Sequence, residues 1–328
     1  MDPTILADKL HGENLIGEAS HQKIIRANSS HLFSLNFELK SLLYAGVLML
    51  TGGLGIAVYK NIDSIGHLAV ILLIALISAA CFAWCIMKRI PYSHDKVASP
   101  NIFYDYVLLL GCLTTLSFTG YLQYQYAVFG TFNGLAFILP AILFFISAYQ
   151  FDHIGVLSIG ITCLAAFLGI SITPTSLISE NDFSSDQLIF TGLFFGAVLV
   201  VAGRFFSQQN IKKHFTFTYY NFAVHLLFIS CLSGLFSSGR VILFVPILGI
   251  LIYICIRHAI KERSFYFLLV AAIYGYIGVS YLFFYLLWSV LEMSVVIIIP
   301  LYLIVSAVMM IRYLKKYWKT IKGNADLQ

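Results

Sequence analysis

After residue 40 the chain is almost continuously apolar, broken only by short polar stretches. Reading each run between its polar flanks gives ten segments: 41–59, 67–87, 104–122, 132–149, 154–171, 188–203, 217–236, 241–256, 264–285 and 293–311. Most approach the roughly 20 residues that carry a helix across ~30 Å of hydrocarbon. The stretch 264–311 is too long for one crossing and divides near 288–292, where Glu292 is the only carboxylate in the run. The pattern predicts an all-α, polytopic transmembrane helix bundle of ten spans.

The first 39 residues read differently. They hold Asp2, Asp8, Lys9, Glu13, Glu18, Lys23, Arg26 and Glu38, with no long apolar core and no small-residue cleavage pattern. This excludes a cleaved signal peptide and makes the first span an uncleaved insertion signal. Residues 3–33 are expected to form a short helical hairpin. In it Ile5, Leu6 and Leu10 meet Ile16, Ile24, Ile25 and Leu32 across a turn at 12–17.

Composition confirms the solvent. Of 328 residues, 60% are hydrophobic and only 11% charged, with a mean hydropathy of +0.88. Soluble domains carry about a quarter charged residues, and part of any globular surface must face water. The medium of this chain is the lipid bilayer.

Charge supplies the orientation, because cytoplasmic loops collect Lys and Arg. With the N-terminus inside, the cytoplasmic side holds Lys9, Lys23, Arg26 and Lys40, then Lys88, Arg89 and Lys96, then Arg204, Lys212 and Lys213. It gains Arg257, Lys261 and Arg263, and after the last span Arg312, Lys315, Lys316, Lys319 and Lys322. These are 18 of the 20 basic residues; the far side has only Lys60 and Arg240. Nine or eleven spans would scramble this partition, so both termini are expected inside. Glu180, Asp182 and Asp186 then fall in an external acidic loop, with Glu292 on the same side. The expected organisation is a cytoplasmic hairpin at 1–39, a five-span half at 40–171, the external loop at 172–187, a second half at 188–312 and a basic cytoplasmic tail at 313–328. In that tail Lys315, Lys316, Lys319 and Lys322 are placed to meet anionic headgroups. A nucleic-acid role for it loses to the topological explanation.

Three passages carry a family resemblance. They are ILADKLHGENLIGEASHQKIIRA near the N-terminus, LLYAGVLMLTGGLGIAVYKNIDSIG across the first span, and GYLQYQYAVFG followed by AYQFDHIGVLSIGITCLAAFLGI. From about residue 5 to 173 the chain resembles the bacterial membrane proteins grouped as domain of unknown function 2157. Those share a short cytoplasmic hairpin, a Gly-rich first helix and an Asn-aromatic-Asp turn, here with Ile62 at the aromatic position. The resemblance implies a bacterial inner-membrane protein without an established activity, and it transfers no functional residues.

No His-Glu-x-x-His, Gly-x-Ser-x-Gly or Walker A pattern is present, so no enzyme and no cofactor are indicated. The six cysteines all lie in predicted spans without a Cys-x-x-Cys pair, and read as small buried hydrophobes. What remain are polar groups at membrane depth, which are costly there and therefore functional candidates. His225 lies mid-span with Asn221 one turn earlier; it either relays protons or binds a solute, or pins two helices. Tyr266, Tyr274, Tyr281 and Tyr285 share one helix stripe, which lines a polar path, packs helices or sits in an interfacial belt. Glu292 is either a buried proton carrier or a solvated carboxylate. The candidate substrate-binding set is therefore His225, Asn221, Tyr274, Tyr281, Tyr285 and Glu292. Asp152 reads as a turn acid capping the following helix, and Asp105 likewise as structural. The polar run 121–126 is expected to face a cavity or the external solvent. Two functions stand side by side: a small-molecule or ion transporter, and a non-transporting scaffold or sensor that holds a partner through the N-terminal hairpin.

Overall fold

The structure, a computed structural model, describes residues 8, 10–13, 15–28, 35–60, 66–130, 134–169, 186–237, 241–291 and 295–323. These are helices and connecting turns, without a β-strand among them. Among the described residues, eleven α-helices with complete bounds follow in order: α1 Glu18–Asn28, α2 Leu35–Lys60, α3 His67–Lys88, α4 Ile102–Tyr126, α5 Leu135–Phe151 and α6 Ile154–Phe167. Then come α7 Asp186–Gln208, α8 Thr216–Phe236, α9 Val241–Lys261, α10 Phe265–Leu291 and α11 Val295–Gly323. The described part of each of the ten apolar segments falls mainly on one of the helices from α2 to α11.

Seven of them, α2, α3, α4 and α7 to α10, are long and apolar enough to cross a membrane. Three apolar helical stretches are shorter: α5, α6 and Ile299–Tyr313 within α11. At 14 residues α6 covers only about 21 Å at 1.5 Å per residue. Large apolar side chains stay exposed on the bundle, Ile242 at 91% and Phe194 at 69% among them. This is the surface expected of helices solvated by lipid.

The chain divides into two units, Met1–Val70 and Ile71–Gln328. In the first, the described part of the N-terminal segment reverses direction and is fastened by polar contacts. His21 Nε2 lies 2.7 Å from Asp8 Oδ1, His11 Nε2 lies 3.3 Å from Glu18 Oε2, and the two imidazoles stack tilted at 4.5 Å. Leu10 and Ile16 are half-buried and Leu15 is 66% exposed. The expected partners Ile5, Leu6 and Leu32 lie outside the described residues, as do the side chains of Ile24 and Ile25.

In the second unit the closest pairings are α7 with α8 and α5 with α6. The α7–α8 contact rests on glycine. Gly192, Gly196 and Gly203 leave no room for a Cβ, which would meet Ser230, Leu227 and Tyr219 on α8. Small residues four apart let two backbones approach at membrane depth, where dispersion rather than hydrophobicity holds helices together. One core gathers Leu108, Phe144, Leu157, Phe195 and Tyr219; a second gathers Phe228, Leu235, Phe244, Leu248 and Leu268 between α8, α9 and α10. All six cysteines are free, five of them buried.

The polar run at the end of α4 is a turn builder. Gln123 Nε2 donates to the Gly130 carbonyl at 2.9 Å, and its Oε1 accepts the Phe129 N–H at 2.9 Å. Ala127 ends the helix in left-handed backbone, and Tyr124 is 82% exposed. The basic positions 315–322 continue α11 as helix to Gly323. The expected boundary loop between the halves, 172–187, lies almost wholly outside the described residues.

Candidate functional site

The mid-span polar groups form a connected network between α8 and α10. His225 sits nine residues into α8, about 14 Å from its start. Its Nε2 lies 2.7 Å from the Tyr266 hydroxyl and its Nδ1 2.8 Å from the Tyr274 hydroxyl. Tyr266 in turn donates to Asn221 Oδ1. A neutral imidazole has one donor and one acceptor, so these bonds are satisfied together in one direction. Tyr274 donates to Nδ1, Nε2–H donates to Tyr266, and Tyr266 donates to Asn221. The result is an oriented hydroxyl–imidazole–hydroxyl chain.

The structure therefore brings together His225, Asn221 and Tyr274 and adds Tyr266, a member of the same stripe outside the candidate substrate-binding set. Tyr281 and Tyr285 do not join. They stack on each other at 6.0 Å, and Tyr281 also packs on Phe236. Tyr285 is 51% exposed. The stripe splits along α8: Tyr266 and Tyr274 reach His225 in its middle, whereas Tyr281 meets the apolar Phe236 at its end. Tyr276 and Ser280 bond Ser306 and Tyr302 of α11. Glu292 lies outside the described residues.

At the end where α8 and α10 begin, a polar pocket of about 810 Å³ opens between α7, α8, α9 and α10. Arg204, Lys213, Lys261 and Arg263 line it, with Glu262 the one carboxylate among the lining residues. Two other lining residues, Phe217 and Phe267, are in ring contact with Tyr266. The network thus starts directly behind the pocket wall.

A third cluster was invisible in the sequence. Asp152 ends α5 in left-handed backbone (φ 56°), and its side chain is 2% exposed. Its Oδ2 accepts the Val97 N–H at 2.5 Å and Lys212 Nζ at 2.9 Å; its Oδ1 accepts from His214 Nε2 at 2.5 Å. Lys212, 1% exposed and itself left-handed (φ 46°), also donates Nζ to the Asp95 carbonyl at 3.0 Å and its N–H to the His94 carbonyl at 2.8 Å. Left-handed backbone is uncommon for residues other than glycine and persists where surroundings over-determine it. Burial alone would raise the Asp152 carboxyl. The Val97 N–H, Lys212 and His214 outweigh it and hold the group below its ordinary value of 3.8. One carboxylate thereby ties the α3–α4 loop, the α5–α6 turn and the α7–α8 loop together.

The capping role expected of Asp152 belongs to its neighbour. His153 is the N-cap of α6, its Nδ1 accepting the Val156 N–H at 3.1 Å. Burial holds this imidazole below its ordinary value against the pull of Asp105 and Asp152. Asp105 accepts the Ser99 hydroxyl at 2.5 Å, while Asn101 caps α4. No signal in the sequence separates Lys212 from the other loop cations. His214 has a dual place: it bonds Asp152 and lines the basic pocket.

Helices of this length and apolarity, with lipid-like exposed faces and polar groups paired in the interior, define a helical multi-pass membrane protein. Residues 8–157 match the family DUF2157, described as a predicted membrane protein. That stretch carries α1 to α5 and the turn with Asp152 and His153, and it bears out the resemblance drawn over residues 5–173. Lys212, His214 and the His225 network lie beyond it. No curated protein and no solved structure shows significant similarity to the chain.

Proposed function

We propose that the chain is a ten-span transporter of a small solute or ion, with both termini in the cytoplasm of a bacterial cell and the protein in its inner membrane. The observation that supports this reading is the oriented chain Tyr274–His225–Tyr266–Asn221, which begins behind a polar pocket and reaches the middle of a span. Ionisable groups at such depth mark substrate or proton paths more often than they serve packing alone. An imidazole between two hydroxyls can take a proton from Tyr274 at Nδ1 and release one from Nε2 to Tyr266. Tyr274 is re-protonated by water or solute and Tyr266 releases its proton to water or solute, with the Asn221 amide only orienting the Tyr266 hydroxyl. In this reading the cations of α11 rest on anionic headgroups.

Replacement of His225 by phenylalanine is expected to abolish solute-coupled proton uptake in proteoliposomes and to lower the melting temperature in detergent only slightly. A large fall in melting temperature with flux retained would make the network a helix pin and end the transport reading. Orientation has its own test. An impermeant thiol reagent on intact cells should mark Ser184→Cys and spare Ser93→Cys, in a background without native cysteines. Labelling in the opposite sense would overturn the ten-span arrangement. The scaffold alternative draws on the Asp8–His21 and His11–Glu18 contacts, which give the N-terminal segment a fixed form that a partner could grip.

A further inference from the structure

An apolar slot adjoins the basic pocket. It measures about 180 Å³ and lies between α7 and α9, over the face of α8. Arg204, Tyr220 and His258 line both spaces. From this joint the slot follows Tyr220, Val224, Leu227 and Phe228, positions i, i+4, i+7 and i+8 of α8, which share one helix face. That run covers about 12 Å along the helix. Its other walls include Val200 on α7 and Leu251 and Ile254 on α9, the last 56% exposed toward the lipid-facing surface.

The mouth is built unlike an ordinary topological flank. Loop cations that only satisfy the positive-inside rule need not converge. Here four line one cavity together with Ser207, Gln208 and Ser264, all able to donate hydrogen bonds. Arg204, Lys213 and Lys261 make no ion pair with a carboxylate among the described residues, although Glu262 lines the same space. The Thr216 hydroxyl oxygen, on the pocket wall, is buried and makes no hydrogen bond to the described protein. His258, at the joint, is held edge-on by Tyr220 at 4.9 Å and Phe267 at 5.0 Å. Its ring is positioned, therefore, by aromatic contacts.

We propose that pocket and slot together form a binding site for an anionic phospholipid. The phosphate is held at the mouth by Arg204, Lys213, Lys261 and Arg263, and one acyl chain lies along α8 in the slot. A charged head joined to an apolar chain is the ligand chemistry that matches cations at one end and Val224, Leu227, Leu251 and Ile254 at the other. Arg and Lys bind phosphate by charge-assisted hydrogen bonds, and basic pockets between spans suit anionic headgroups. A free phosphate would use only the mouth. The site stands whether or not the protein transports anything.

The test uses the full-length protein in detergent, with phosphatidylglycerol, phosphatidylcholine or inorganic phosphate added at equal concentration. Thermal unfolding and lipid retention by native mass spectrometry are the readouts. Phosphatidylglycerol is expected to raise the melting temperature by several degrees and to stay bound at one copy per chain, with phosphatidylcholine and phosphate giving neither effect. Arg204→Gln with Lys261→Gln, both exposed and expected to fold, should weaken retention at least tenfold. Ile254→Trp, which fills the slot from its lipid-facing rim, should weaken phosphatidylglycerol retention without touching the mouth. If phosphate stabilises the protein as well as the lipid does and Ile254→Trp changes nothing, the ligand is a soluble phosphate and the lipid site is refuted. Equal retention of both lipids by the wild type and the charge variant would also overturn it, leaving the cations a topological role.

Discussion

Asp152→Asn is expected to destabilise the protein by about 3–5 kcal/mol, measured by reversible unfolding in mixed micelles, because it strands a buried ammonium. The Lys212 side chain is 1% exposed and its Nζ has one anionic partner among the described residues, the Asp152 carboxylate at 2.9 Å. The neutral amide keeps an oxygen for Lys212 or for the Val97 N–H, and it removes the charge that offsets the cost of burying the lysine. Lys212→Met should be costly for the reciprocal reason, since the carboxylate keeps His214 and Val97 alone. The pair Asp152→Leu with Lys212→Met should recover part of the loss, as buried ion pairs often exchange for apolar groups at little net cost. A loss below about 1 kcal/mol for Asp152→Asn would show that water reaches the pair and that it behaves as a surface bridge.

Acid attacks the same turn from two directions. A folded-state value below the ordinary one means stability that is complete above the ordinary value and lost as pH falls through the folded one. For Asp152 that window lies below 3.8, so its contribution is intact at neutral pH. His153 follows the same sign from a higher start: its neutral form caps α6, and the contribution begins to fall below 6.5. Unfolding in detergent should therefore grow easier from about pH 6.5 downward, with a second loss below 3.8. An asparagine at position 153 keeps a capping acceptor and should flatten the first of these phases.

The helices were legible because lipid imposes one requirement on every residue of a span. Backbone groups must bond within the segment, so a 20-residue apolar run can hardly be anything but helix. Even the split of 264–311 was readable, since Glu292 interrupts it and α10 and α11 meet near there. The polar network was half legible. Spacing along α10 aligned four tyrosines, but only packing against α8 decides which hydroxyls reach His225, and that selects Tyr266 and Tyr274 over Tyr281 and Tyr285. The Asp152–Lys212 pair was not legible. Its members are 60 residues apart and sit in loops whose charges the positive-inside rule already explains. The same rule concealed the pocket, because a cation counted for topology carries no mark of the cavity it lines.

Gly196→Leu is expected to cost about 1–3 kcal/mol, the range for forcing extra volume into a packed interface, and Gly196→Ala to be destabilising with it. A Cβ there would stand 2.7 Å from Leu227 Cγ, 2.9 Å from its Cδ2 and 3.3 Å from the Ala223 carbonyl oxygen. The carbonyl belongs to the α8 backbone and cannot move without carrying the helix. Leu227 can rotate, though only by swinging from the wall into the slot it lines. Gly249 on α9 is the control: an added Cβ meets nothing within 4 Å, so Gly249→Ala should be neutral or stabilise by up to ~1 kcal/mol through the lost flexibility of glycine in a helix. The contrast between two Gly→Ala changes in equally apolar helices isolates backbone approach from helix propensity. Equal effects at 196 and 249 would mean that α7 and α8 are not held by their glycine face. Gly196→Leu should also reduce the stabilisation by phosphatidylglycerol, because the displaced Leu227 narrows the space assigned to the acyl chain.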